Sequence, residues 1–240
     1  MKRLLIVKTG GTLPELRAQR GDYEEWIAAG TGFARGEVDV VAVAQGEPLP
    51  APESPAGVVI TGSSAMVSHC EPWSERTADW LARAVECDTP VLGICYGHQL
   101  LAHALGGEVG PNPRGREIGT VVVRALAPAR RDALLGVWGE AEPAQVTHLE
   151  SVLALPAGAV RLAESDLDPV QAFAASERAW GVQFHPEVTA GQIERWLVED
   201  PEDVADAPAL RTETRERIGG WNTLGRELCA AFLHAAERAK

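Results

Sequence analysis

Residues 91–107 read VLGICYGHQLLAHALGG, an apolar run that stops at Cys95 and gives way at once to a helical pattern from about Gly97 to Leu105. This strand–turn–helix layout, with Gly93 and Gly97 two residues on either side of the cysteine, is that of a nucleophile elbow. The glycines have a task there, because a tight elbow brings backbone segments together and imposes an unusual dihedral on the nucleophile. The turn also sets Cys95 at a helix N-terminus, where free N–H groups and the helix dipole favour the thiolate, the form that attacks a carbonyl. Taken alone, a cysteine reads as a small buried core residue. The G-x-C-x-G context points instead to nucleophilic catalysis.

A thiolate of this kind needs a proton carrier, and the segment WGVQFHPEV, from Trp180 to Val188, supplies one. It reads as a strand that delivers His185 and Glu187 at its C-terminal end, with Pro186 biasing His185 toward extended geometry. Residues two apart in an extended chain point the same way, so Glu187 is expected to accept from one imidazole nitrogen while the other faces a thiol. Imidazole moves protons near neutral pH. A lone His-x-Glu reads as a strand-end pair without a role; with an elbow cysteine it predicts a Cys95–His185–Glu187 triad.

Those groups must be held by a scaffold. The runs Leu4–Val7, Val38–Val43, Val58–Thr61 and Val91–Ile94 read as buried strands separated by segments of helical character, which implies a parallel sheet. Between the last two, Trp73, Thr77, Leu81, Ala84 and Val85 recur at helical spacing, and Thr89-Pro90 ends the pattern. In the second half, Thr120–Ala125, Val152–Leu155, Val160–Ala163, Val170–Ala174 and Ala179–Phe184 read as strands joined by short turns, so the sheet is expected to be mixed. The acidic stretch from Glu199 to Asp206 reads as an exposed linker or loop, and Leu224, Leu228, Phe232 and Ala235 fall on one face of a closing helix expected to pack on the body. In open α/β sheets, catalytic groups gather at the carboxyl ends of strands, where Cys95 and His185 both fall.

GICYGHQLLAHALGG and GVQFHPEV resemble the two signatures of class I (triad) glutamine amidotransferases, especially the amidotransferase domain of GMP synthetases and its free-standing relatives, over about residues 38–190. The resemblance implies an α/β fold of flavodoxin-like type, an open, mixed, mainly parallel sheet with helices on both faces. One amidotransferase domain would span residues 1–240, with about 190–240 a helical C-terminal extension packed on it. It implies glutamine as substrate, a γ-glutamyl thioester on Cys95, acid–base work by His185 oriented by Glu187, and glutamate and ammonia as products, with no cofactor and no metal. Tyr96, the residue after the nucleophile, supplies one oxyanion N–H. The family takes a second from a glycine-rich loop, here ITGSSAMVSH at residues 60–69, with Gly62 or Ser63 as the donor. The usual Gly-Gly-Pro is reduced to Gly62-Ser63-Ser64. Gln99 matches a position that contacts the substrate, with an exposed helical residue as the competing reading. His148, in Thr147-His148-Leu149-Glu150, matches a segment that binds the amino-acid end of glutamine and faces a synthetase; the bland reading is a surface histidine.

Other features bound the function. The formal net charge is −12, from 34 acidic and 22 basic residues, which disfavours nucleic acid as a partner. No apolar run approaches membrane-spanning length and Leu4–Val7 is too short for a signal-peptide core, so a cytoplasmic protein is expected with no membrane contact. Cys70, Cys87, Cys95 and Cys229 form no metal or disulfide spacing, and His69, His98, His103 and His234 read as structural or solvent-facing. Lys8-Thr9-Gly10-Gly11-Thr12 resembles a motif of bacterial-type asparaginases but stands alone, and reads as a turn. Nothing after Glu187 is long enough for a synthetase domain, so a separate synthetase or other ammonia acceptor is the expected partner. The same triad would also serve a stand-alone γ-glutamyl amine or peptide hydrolase. A catalytically quiet regulatory subunit is the third reading, against which the intact triad argues.

Overall fold

The computed structural model describes residues 3–31, 38–188, 192 and 224–236. In chain order the elements are β1 (Leu4–Lys8), α1 (Pro14–Arg20), α2 (Tyr23–Thr31), β2 (Val38–Ala42), β3 (Gly57–Ile60), α3 (Pro72–Glu86), β4 (Val91–Ile94), α4 (Tyr96–Ala104), β5 (Glu108–Pro111), β6 (Glu117–Ala125), β7 (Ala141–His148), β8 (Glu150–Ala154), β9 (Val160–Glu164), β10 (Ala172–Ser176) and β11 (Ala179–Val182), and residues 224–236 are helical. Nine strands form one sheet in the order β2-β1-β3-β4-β11-β10-β9-β6-β7. From β2 to β11 the neighbours run parallel, and beyond β11 they run antiparallel. The strands β5 and β8 make a separate antiparallel pair.

Helices cover both faces, as expected of the flavodoxin-like arrangement. On one side Ile27 and Ala28 of α2, with Leu224, Leu228 and Phe232, pack over Ile6, Leu92 and Trp180. On the other, Ala78, Leu81 and Ala84 of α3 and Leu100 and Leu101 of α4 cover Leu5, Val58 and Val91. Both clusters follow from parallel strands whose alternate side chains point to opposite faces, each of which must be covered. The apolar stripe Leu224, Leu228 and Phe232 is buried as its spacing predicted, with Ala235 partly buried beside it. The acidic stretch Glu199–Asp206 lies outside the described residues, as does most of the segment from 190 onward.

The structure corrects some strand bounds and adds two strands. The run Val38–Val43 is not a fully buried strand: β2 is the end of the sheet, paired with β1 alone, and Asp39 and Val40 are exposed. The strands β5 and β7 escaped the sequence reading because EVGP and AEPAQVTH lack an apolar alternation and carry prolines. Each is an edge, paired on one side only, where a missing N–H is tolerated. β8 begins at Glu150, and β10 at Ala172 rather than Val170.

The elbow leaves no room for a side chain at either flanking glycine. A Cβ on Gly93 would collide with the carbonyl of Gly97, and one on Gly97 would sit 2.6 Å from the carbonyl oxygen of Ile60 on β3. Gly97→Ala would gain about 1 kcal/mol of helix propensity, but the obstacle is backbone that cannot rotate away. Overpacking against rigid backbone costs about 3 kcal/mol, the upper end of the usual range, so a net loss of about 2 kcal/mol is expected, read as a lower urea midpoint with unchanged slope.

Candidate active site

Cys95 follows β4 and caps α4 with φ 52° and ψ −102°, a left-handed conformation that non-glycine residues rarely adopt. The strain is held from several sides. The Cys95 N–H donates to the Val182 carbonyl of β11 at 2.9 Å, and the Gln99 N–H closes the first helical turn on the Cys95 carbonyl at 3.1 Å. The thiol is buried, 3.7 Å from the Thr147 carbonyl oxygen of β7.

His185 and Glu187 lie beyond the end of β11. Nδ1 of His185 is 2.8 Å from Oε1 of Glu187, with both side chains buried, and the His185 N–H donates to the Gln145 carbonyl at 2.9 Å. The contact is the expected one, but its route is not. β11 ends at Val182, and residues 186–187 form a turn closed by the Val188 N–H on the His185 carbonyl at 3.3 Å, so a turn and not an extended pair brings Glu187 back to the ring. Burial works against a charged imidazole here, but the Glu187 carboxylate and the Cys95 sulfur, which also hydrogen-bonds the ring, outweigh it and push His185 up to about 10. Both neighbours favour the imidazolium, which is set between a carboxylate and the Cys95 sulfur.

Gly62 abuts both partners, since a Cβ there would come 3.1 Å from Cε1 of His185 and 3.7 Å from Cβ of Cys95. Ser63 follows at the pocket wall, its Oγ donating to the Thr9 carbonyl at 3.1 Å and accepting from the Ala65 N–H at 3.1 Å. Tyr96 heads α4, so its N–H belongs to the first turn, where helical partners are missing. Its hydroxyl is turned away, 2.6 Å from Oγ of Ser74. Gln99 is buried rather than exposed: its Nε2 donates to the Glu150 carbonyl at 2.8 Å and to Oε1 of Gln183 at 3.0 Å while the residue lines the pocket. His148 is not a surface histidine. Nε2 lies 3.0 Å from Oε2 of Glu117 and Nδ1 lies 2.9 Å from the Glu150 carbonyl, so both ring nitrogens face protein groups although the residue also lines the pocket. Of the other histidines, His98 is wholly buried, and burial foremost lowers it to about 4, while His103 pairs with Glu75 at 3.0 Å.

Cys95, Ser63, Gln99 and His148 line one cavity of about 280 Å³, at the small end of ligand sites. Its far wall was missed in the sequence. Gly11, Thr12 and Tyr23 line it, so the segment read as a plain turn after β1 is part of the site. Asp22 holds that segment, accepting from the Thr12 N–H at 2.8 Å and pairing with Lys8 at 2.8 Å. Tyr23 lies nearly parallel to His185, 18° between planes with centroids 6.3 Å apart. Neither Asp22 nor Tyr23 belongs to a local pattern, so only the fold reveals them.

A family model described as glutamine amidotransferase class-I matches residues 22–201. A GMP synthase (glutamine-hydrolyzing) of Aeropyrum pernix is 35% identical over 217 residues, covering 85% of this chain and 36% of that protein. Its counterpart from Thermomicrobium roseum is 41% identical over 143 residues, covering 56% of this chain and 24% of that protein. The chain thus matches about a third or less of the length of these relatives. A solved glutamine amidotransferase from Methylobacillus flagellatus superposes with a TM-score of 0.80 at 24% identity, covering 98% of this chain and 95% of the other. One from Thermotoga maritima does so with a TM-score of 0.77 at 22% identity and 99% coverage of both chains. These two likenesses concern the fold.

Proposed function

The chain belongs to the class-I glutamine amidotransferase family, and from that premise we propose that it hydrolyses the side-chain amide of glutamine through a γ-glutamyl thioester on Cys95, releasing ammonia for a separate acceptor enzyme. The observation that carries the reading is the 2.8 Å contact of His185 with Glu187 directly behind an elbow cysteine that hydrogen-bonds the same ring. The Cys95 sulfur attacks the amide carbon, and the oxygen takes up the negative charge, facing the N–H of Tyr96 and that of Gly62 or Ser63. His185, already protonated, gives its proton to the departing nitrogen, so that ammonia leaves as the C–N bond breaks. Water then gives a proton back to His185 and attacks the thioester, and glutamate departs as the thiolate re-forms. Gln99 and the residues around His148 shape the pocket for the amino-acid end of the substrate.

The acceptor reading draws on the relatives, which are named as glutamine-hydrolyzing synthases and match this chain over part of their length. Four free cysteines suit a reducing compartment, which supports a cytoplasmic setting. No helix among the described residues is long and apolar enough to cross a membrane. The test is glutamate and ammonia release by the purified protein from glutamine, beside a panel of γ-glutamyl amines and peptides. Glutamine is expected to be the best substrate. Faster turnover of a γ-glutamyl peptide would replace this reading with that of a stand-alone hydrolase, and no turnover of any member would sink both.

A further inference from the structure

The mechanism leaves Glu150 without a task, yet its side chain is buried in the pocket wall, at 3% exposure for the residue. Oε2 accepts the N–H of Val67 at 2.8 Å and that of Ser68 at 3.3 Å. The carbonyl of Glu150 accepts Nε2 of Gln99 at 2.8 Å and faces Nδ1 of His148 at 2.9 Å, so the residue is itself fixed from α4 and from the end of β7. Val67 and Ser68 lie on the far side of the loop that Gly62 opens, and Ser63, at the near side, is tied to Thr9 and Ala65. The residues between the two anchors, Ser64, Ala65 and Met66, line the same cavity as Cys95.

We propose that Glu150 is a positioning residue, which holds the loop of residues 62–68 so that its oxyanion N–H, from Gly62 or Ser63, stays aimed at the carbonyl oxygen of a group acylating Cys95. The assignment rests on the reading above in which Cys95 is acylated. An oxyanion donor contributes only if it is aimed before the charge appears. A Gly-Ser-Ser tip loses backbone entropy at every residue when it is held still, and a charge-assisted pair of N–H bonds to a buried carboxylate opposes that loss. Glu150 therefore acts on the acylation step through the loop, without touching the sulfur.

Two reagents separate this role from a general structural one. p-Nitrophenyl acetate acylates the Cys95 sulfur through a tetrahedral oxyanion and expels p-nitrophenolate, whereas iodoacetamide alkylates the same sulfur by displacing iodide, with no oxyanion. Glu150→Ala is expected to slow acylation about 100-fold, the scale of a lost oxyanion donor, while alkylation keeps its wild-type rate. Glu150→Gln, which retains an acceptor oxygen, is expected to recover most of the loss, and Cys95→Ser is the blank. An equal fall in both rates, or an unchanged acylation rate, would overturn the proposal. If Glu150→Ala fails to fold, Val67→Pro removes the stronger bond from the loop side. Met66 has φ −109° and ψ 130°, which suits a residue before proline, and Val67 opens its turn. The same contrast between the two reagents is expected, and its absence counts against Glu150 equally. Neither reagent needs glutamine recognition, so a wild-type protein that reacts with the ester yet leaves glutamine intact sinks the glutamine reading alone.

Discussion

Cys95→Ser is expected to lower glutamine hydrolysis by at least about 10⁴-fold, the scale on which triad enzymes lose their nucleophile, with thermal unfolding close to wild type. Serine fits the space of the buried thiol, so no large cavity opens. The chemistry fails for a reason visible in the site. The Cys95 sulfur helps to hold His185 as an imidazolium, and a serine hydroxyl, far less acidic than a thiol, does not form the anion that would pair with that ring and attack the amide. The other cysteines offer no substitute. Cys70 and Cys87 are exposed outside the cavity, and burial foremost, with the Glu187 charge behind it, pushes Cys229 up to about 12, leaving it a thiol. Serine at any of these three should leave turnover unchanged. A comparable loss at Cys229, or residual turnover in Cys95→Ser near wild type, would move the nucleophile.

The half of the site that was legible in the sequence is the half encoded by local geometry. Gly93 and Gly97 announce the elbow because only residues without a Cβ fit against the carbonyls of Gly97 and Ile60. The His-Pro-Glu spacing announces the second contact, although a turn rather than an extended strand makes it. What stayed hidden is held by long-range contacts between unremarkable residues. Tyr23 reaches the imidazole from α2, Asp22 ties the segment after β1 into the wall, and Glu150 clasps a loop more than eighty positions earlier. The reduced Gly62-Ser63-Ser64 tip reads in sequence as a departure from the family pattern. In the fold it is tied down by Ser63 and flanked by Glu150, bonds that no local pattern encodes. The strands followed the same division: apolar β1, β3 and β4 were legible, and the proline-bearing edges β5 and β7 were not, because an edge needs neither full burial nor every N–H.

His185→Ala is expected to cost nearly as much as loss of the nucleophile, and Glu187→Gln about one to two orders of magnitude less, since the carboxylate orients the ring and favours its charge while the ring carries the proton. The two variants also differ in pH dependence. Burial of His185 favours the neutral ring, and the Glu187 charge is the largest influence opposing it, so Glu187→Gln must lower the imidazole pKa from about 10. In the proposed mechanism departure of ammonia needs the imidazolium, and the alkaline limb of kcat/KM should therefore move to lower pH in Glu187→Gln. Stability should follow the same proton. The folded chain keeps a proton up to about pH 10 that the unfolded chain releases near 6.5, so this stabilisation is full below 6.5 and is lost as pH rises toward 10. Urea titrations across that window should show wild type losing stability with rising pH more steeply than Glu187→Gln. Superimposable pH profiles of rate and of stability for the two proteins would separate Glu187 from the imidazole, and the 2.8 Å contact would then be a structural bond without a part in the chemistry.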